Sequence, residues 1–308
     1  MVFFTVSLVG VVLLLCSKGL LGLWCAMELG FLGSMPILIG KSCSEAESSF
    51  KYFVAQVIGS SFIIVSFCFM ISVPVSSYII TFFFILGFLF KLGLFPFYAW
   101  VPSVVGFAGW FGCVILLVIQ KIGPYWILSG IGLPSWGLTI LLLSGVVTSL
   151  IGSFGGLNQV VVRPLLGYSS LSHSGWLLSL SLLDLQMFLF YFITYSVLVL
   201  GLISLCVTPS GLDTPMAASF YFLSLGGLPP LGGSFSKMGG IMILSSFSMS
   251  ITLILIFSSV VSLCYYLWFF IYSIMTSYKN GTLLFGKWAL LHLVLNGLLG
   301  PVLILWLL

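Results

Sequence analysis

The chain has 308 residues, of which 61% are hydrophobic and only 5% charged, against about 25% charged in ordinary soluble proteins. That composition excludes a soluble globular domain and leaves room for roughly ten to twelve membrane-spanning helices joined by short loops. The net charge of +4 is scattered, with no basic run of the kind that grips nucleic acid.

The predicted elements follow in chain order. Apolar runs place helices at 2–17 and 20–40, separated by a tight turn. The opening residues have neither a basic leader nor a cleavage site and read as a first span. The most polar stretch, KSCSEAESSF at 41–50, is predicted as an aqueous loop before a helix at 51–71. A fourth helix at 77–95 ends at Pro96, and a fifth at 107–128 follows a short linker. Helices at 134–153, 164–183 and 185–207 come next, with a loop-like segment at 152–165. The ninth, at 216–244, is broken at 226–230. A tenth at 248–277, a loop, and an eleventh at 288–308 complete an all-α polytopic membrane protein of about eleven transmembrane helices.

The basic residues orient the bundle, because short loops on the negative side of a membrane carry the lysines and arginines. Loops after even-numbered helices hold Lys41, Lys51, Arg163, Lys279 and Lys287, whereas those after odd-numbered ones hold only Lys18. The N-terminus is thus expected on the cytoplasmic or matrix side and the C-terminus on the opposite side. The two broken helices are the fourth and the ninth, five spans apart. An odd-numbered repeat inserts upside down the second time, so residues 1–130 and 131–277 are expected to form two inverted repeats, with 278–308 as a C-terminal helix. Inverted repeats with discontinuous helices are a recurring transporter plan.

An ionisable side chain at mid-membrane costs at least ~2.5–3.5 kcal/mol, so it marks an ion or proton path by default. Four such groups fall inside predicted spans: Glu28, Lys91, Lys121 and Lys237, with His173 as a fifth. Burial disfavours the charged form, and a desolvated ammonium can release its proton whereas guanidinium cannot. Intramembrane lysines without an intramembrane arginine therefore favour proton handling. Lys121 and Lys237 have a second reading, as side chains that snorkel to an interface. His173 has a second reading as a hydrogen-bonded structural histidine, and Glu28 as one half of an ion pair that fastens two helices. The seven cysteines contain no CxxC pair and are expected to pack as small apolar groups. Two histidines cannot supply the axial ligands of a two-haem cytochrome or a multi-histidine copper site. The Gly-rich stretches match no phosphate-cradling loop.

Six stretches then carry a resemblance over nearly the whole chain: LWCAMELGFLGSMPIL, EAESSFKYFVAQVIGS, FKLGLFPFYAWVPSV, IQKIGPYWIL, GSFGGLNQVVVRPLLGYSSLSHSGW and LSLGGLPPLGGSFSK. In this order they resemble the chain 2 family of mitochondrial NADH:ubiquinone oxidoreductase, one of the antiporter-like membrane-arm subunits of respiratory complex I. The resemblance implies proton translocation across the mitochondrial inner membrane, coupled to electron transfer in other subunits. It implies that Glu28, Lys91, Lys121 and Lys237 are the family's proton-channel residues. It implies that this chain binds no cofactor, while NADH, FMN, iron–sulfur clusters and ubiquinone belong to the assembled complex. The implied partners are the other membrane-arm subunits, neighbouring antiporter-like chains and lipids. Arg163–Pro164 and Gly167 depart from the family's usual basic pair and alanine. A cation/proton antiporter of the related Mrp type shares the fold plan.

Overall fold

A computed structural model describes residues 2–40, 42–72, 77–207, 214–229, 231–279, 294 and 296–297. Among them the only regular structure is helical, with no strand: α1 (Val2–Cys16), α2 (Leu20–Leu38), α3 (Cys43–Ser72), α4 (Ser77–Leu92), α5 (Trp100–Phe107), α6 (Trp110–Gly130), α7 (Ser135–Leu157), α8 (Val162–Leu183), α9 (Leu185–Val207), α10 (Thr214–Gly226), α11 (Gly232–Phe247) and α12 (Met249–Lys279). Six of these are long and apolar enough to cross a bilayer, and α1, α4 and α10 are shorter apolar helices. The expected helix at 288–308 and residues 280–287 of the loop before it lie outside the described residues, apart from 294, 296 and 297, while the first two loop positions continue α12 to Lys279.

Helix pairs close up where small residues let backbones meet, the usual device of membrane bundles. A Cβ on Gly10 of α1 would lie 2.5 Å from the Gly30 nitrogen of α2, and one on Gly175 of α8 would lie 2.5 Å from the Gly145 oxygen of α7. Many serines bond back to a carbonyl three residues earlier, as Ser170 does to Gly167 and Ser174 to Leu171. Their hydroxyls are thereby satisfied inside apolar helices.

Four boundaries differ from the sequence reading, the first being the short linker before the fifth helix, which is itself helical as α5 at Trp100–Phe107. The predicted loop at 41–50 is helical from Cys43, because Ser42 and Glu45 form a capping box. The Glu45 amide donates to Ser42 Oγ at 3.3 Å, and the Ser42 amide donates to Glu45 Oε2 at 3.1 Å. Lys51 consequently sits within α3, paired with Glu47 one turn earlier at 2.6 Å. The segment expected to be loop-like at 152–165 is helical up to Leu157 and again from Val162. The fourth helix ends at Leu92, before Pro96 is reached.

That last difference has a specific cause. Gly93 adopts φ +65°, the left-handed conformation in which L side chains are strained. The Leu94 amide then donates to Leu89 O at 2.9 Å and the Gly93 amide to Phe90 O at 3.2 Å, the pair of bonds of a Schellman stop. The end of α10 repeats the pattern. Gly227 has φ +84°, the Leu228 amide donates to Leu223 O at 3.4 Å, and the Gly227 amide donates to Ser224 O at 3.0 Å. The next turn matches as well, since Phe97 donates to Leu94 O and Leu231 to Leu228 O. Two distant stretches, 89–97 and 223–231, thus share one backbone hydrogen-bond pattern.

Candidate functional site

Lys91 occupies the last turn of α4, and its ammonium donates to Glu28 Oε1 of α2 at 2.7 Å. The lysine side chain is 3% exposed and the glutamate 21%. This pair joins two residues 63 apart in sequence. The carbonyls at the end of α4 are held as well: Gln56 of α3 donates its amide to Lys91 O at 3.1 Å, and Trp100 Nε1 donates to Phe90 O at 3.2 Å.

Lys121 follows a widened turn. Residues Ile115–Ile119 of α6 are π-helical, and Pro124, four residues beyond Gln120, has no N–H to offer the Gln120 carbonyl. Such irregular turns commonly accompany functional residues. Lys121 is buried, its ammonium donates to Ser170 O of α8 at 3.1 Å, and it lies 5.5 Å from the centre of the Tyr195 ring. The snorkelling alternative does not describe it. The Tyr195 hydroxyl is itself buried with no hydrogen-bond partner among the described residues.

His173 packs 5.2 Å from the same Tyr195 ring, centre to centre, and its Nδ1 is 2.9 Å from the Tyr191 hydroxyl. It lies within electrostatic reach of both Lys121 and Lys237. Tyr191 stacks on Trp176 with centres 6.3 Å apart and planes 10° from parallel. Trp176 in turn lines a cavity of about 390 Å³ together with Lys237. Lys237 of α11 is buried and donates to Gly226 O at 2.8 Å, across the break between α10 and α11. It too does not snorkel.

Of the five residues singled out in the sequence, four are buried and Glu28 is partly exposed, and they succeed one another from α2 through α4, α6 and α8 to α11. Sequence reasoning missed the neutral groups among them. Gln56, Gln120, Tyr191 and Tyr195 carry no charge to mark them in an apolar run, and only their polarity within FVAQVI, LVIQKI and FYFITY hinted at them. All seven cysteines are free thiols. Among the described residues no group of three or more His, Cys, Asp or Glu side chains is placed to hold a metal ion.

The fold and this row of groups can be set beside known proteins. Residues 17–211 match the family model described as NADH:quinone oxidoreductase/Mrp antiporter, transmembrane. The chain belongs to this family. A relative from Lumbricus terrestris, named NADH-ubiquinone oxidoreductase chain 2, is 33% identical over 80% of this chain and 78% of its own length. One of the same name from Canis rufus is 30% identical over 96% of this chain and 91% of its own. A chain from the structure of respiratory complex I of Thermus thermophilus superposes with a TM-score of 0.78 at 21% identity, covering 98% of this chain and 79% of that one. At that identity the last likeness concerns the fold.

Proposed function

We propose that this member of the family is a proton-translocating membrane-arm subunit of respiratory complex I in the mitochondrial inner membrane, coupled to NADH oxidation and ubiquinone reduction in other subunits. The observation that carries this reading is a row of titratable groups: the partly exposed Glu28 bonded to Lys91, then the buried Lys121, His173 and Lys237. An opposite charge favours the protonated lysine. Opening the Glu28–Lys91 pair frees the Lys91 proton, which passes by way of Lys121 and His173 towards Lys237. Redox cofactors belong to neighbouring subunits in this reading, and this chain's residues only hold and move protons.

The two matched Schellman stops support an eleven-helix plan of two inverted five-helix repeats, residues 1–130 and 131–277, with a C-terminal helix at 278–308. Each break has a lysine close by, Lys91 in the last turn before the first and Lys237 in the second turn after the second, as discontinuous helices of transporters do with their functional groups. The N-terminus lies on the matrix side and the C-terminus on the intermembrane-space side, with the other membrane-arm subunits and lipids as partners.

The test is Lys91→Met in the assembled complex. Protons moved per electron should fall while NADH oxidation continues; an unchanged ratio in a fully assembled mutant would remove Lys91 from the path. The second reading, a cation/proton antiporter, is favoured by the Mrp half of the family. It predicts that the purified native assembly exchanges cations for protons without oxidising NADH.

A further inference from the structure

Two small cavities lie against Lys91, and the same two carboxamides line both. The first, about 20 Å³, touches Gly30, Gln56, Lys91, Gln120 and Pro124. The second, also about 20 Å³, touches Gln56, Lys91, Gln120 and Lys121. It is the space that two successive lysines of the row have in common. A polar cavity holds a water once it offers ~10–15 Å³ and two or more polar partners. Both cavities meet that condition.

The amides are already half committed. Gln120 Nε2 donates to Gly30 O at 2.8 Å, on the same helix as Glu28, and Gln56 Nε2 donates to Lys91 O at 3.1 Å. A carbonyl oxygen only accepts, so the nitrogen of each amide faces it and Oε1 is left over. Among the described residues no donor reaches either Oε1. Gln56 is only 6% exposed, so the surface left to its Oε1 is that of the cavities it lines. The space beside it is where a donor belongs.

We propose that Gln56 and Gln120 are positioning residues that hold water in these two cavities and thereby carry the proton step from Lys91 to Lys121. The inference rests on the proton-relay reading above. In this step an N–H bond of the Lys91 ammonium breaks as an O–H bond forms on the water. An O–H bond on the far side of the water breaks as an N–H bond forms on the neutral Lys121 amine. One proton has moved, the water is restored, and the carboxamide oxygens accept hydrogen bonds without taking the proton. Glutamine suits the role because it orients water at the pair without adding a charge that would trap the proton.

The decisive experiment combines a map of ordered water in the native complex with two substitutions at one position. Water within hydrogen-bond distance of Gln56 Oε1 and Gln120 Oε1 is expected, and dry cavities at a resolution that shows water elsewhere overturn the inference whether or not any variant assembles. Gln120→Met, of equal length without the amide, should lower protons moved per electron and change the solvent deuterium isotope effect on translocation. Gln120→Glu, which keeps an acceptor of the same shape but adds a charge that traps the proton and loses the donor to Gly30 O, should leave the ratio low, and full recovery with it overturns the inference. An assembled Gln120→Met complex with a normal ratio and isotope effect overturns the inference. Lys91→Met and Lys121→Met, measured alongside, separate the two levels. If they lower the ratio and Gln120→Met does not, the relay stands and the role of the glutamines falls; if they leave it unchanged, the relay reading falls and takes this inference with it.

Discussion

Lys91 and Glu28 share a hydrogen bond of 2.7 Å but not the same surroundings, the lysine being 3% exposed and the glutamate 21%. Removing one partner of a fully buried pair costs ~3–5 kcal/mol, mostly through the charge left behind. Here the remaining charge after Lys91→Met belongs to the partly exposed Glu28, so the loss should fall below that range. Neutralising both members should cost less still. The Glu28→Gln, Lys91→Met double variant is therefore expected to assemble more fully than Lys91→Met alone while translocating no better, which native-gel assembly and protons per electron would report. Equal or poorer assembly of the double variant would mean that the carboxylate is held by other partners. The charged residues were legible in the sequence because a charge in oil is conspicuous. Their pairing was not, since Glu28 and Lys91 are 63 residues apart and nothing local links them. The orienting amides and tyrosines were silent for the opposite reason: each is chemically tolerable in a helix and indistinguishable from packing until its neighbours are known.

At the scale of elements, the two helix stops were legible as breaks, because glycine and proline within an apolar run have few other uses. Their position was less so. The sequence reading stopped the fourth helix at Pro96, but the chain turns at Gly93, where the left-handed conformation closes the Schellman bonds three residues earlier. The two glycines should answer differently to alanine. Either substitution incurs the strain of a left-handed L-residue, ~1–2 kcal/mol. At Gly93 the new Cβ meets Val101 and lies 3.2 Å from the Trp100 ring. Val101 is buried and β-branched and cannot yield cheaply, so overpacking adds ~1–3 kcal/mol. At Gly227 the new Cβ lies 2.8 Å from Lys237 Cδ, a flexible stem that moves aside and draws its ammonium from Gly226 O. Gly93→Ala should thus show mainly as lost assembly, and Gly227→Ala mainly as lost translocation in assembled complex. The reverse pattern in assembly and pumping assays would contradict this packing. The capping box at Ser42–Glu45 is visible in the sequence as S-x-x-E, yet so polar a stretch reads as an aqueous loop. The π turn left no such mark: Ile115–Ile119 is an apolar run like its neighbours, and only Pro124 downstream gave a reason for the irregularity.

At the scale of the whole molecule, tight helix pairs are the frame that keeps the buried groups in order. The α7–α8 contact is the clearest case, since a Cβ on Gly152 would run into the Ser172 nitrogen and Tyr168 oxygen, both backbone atoms that cannot step aside. Gly152→Leu should therefore force α7 from α8, at a cost of ~1–3 kcal/mol or more, and carry Ser170, the acceptor of Lys121, and His173 out of register. Loss of assembly is the expected result, measured as reduced full-size complex; normal assembly would mean that the contact is slack.

Order along the row also makes a kinetic prediction that no single site can make. If protons pass Lys121 and then Lys237 in sequence, blocking either link already closes the path, so adding the second block changes nothing. Residues that act as one unit are grossly non-additive in this way, whereas independent sites contribute separately. Lys121→Met and Lys237→Met should each lower protons per electron by a similar amount, and the double variant should fall no further. His173 packs on the Tyr195 ring that Lys121 also faces and bonds to Tyr191, which stacks on the Trp176 that lines the Lys237 cavity, the placement a serial path needs. A double variant that loses about the sum of the two single losses would instead assign the lysines to parallel routes, and the row would be two half-paths that merely share a wall.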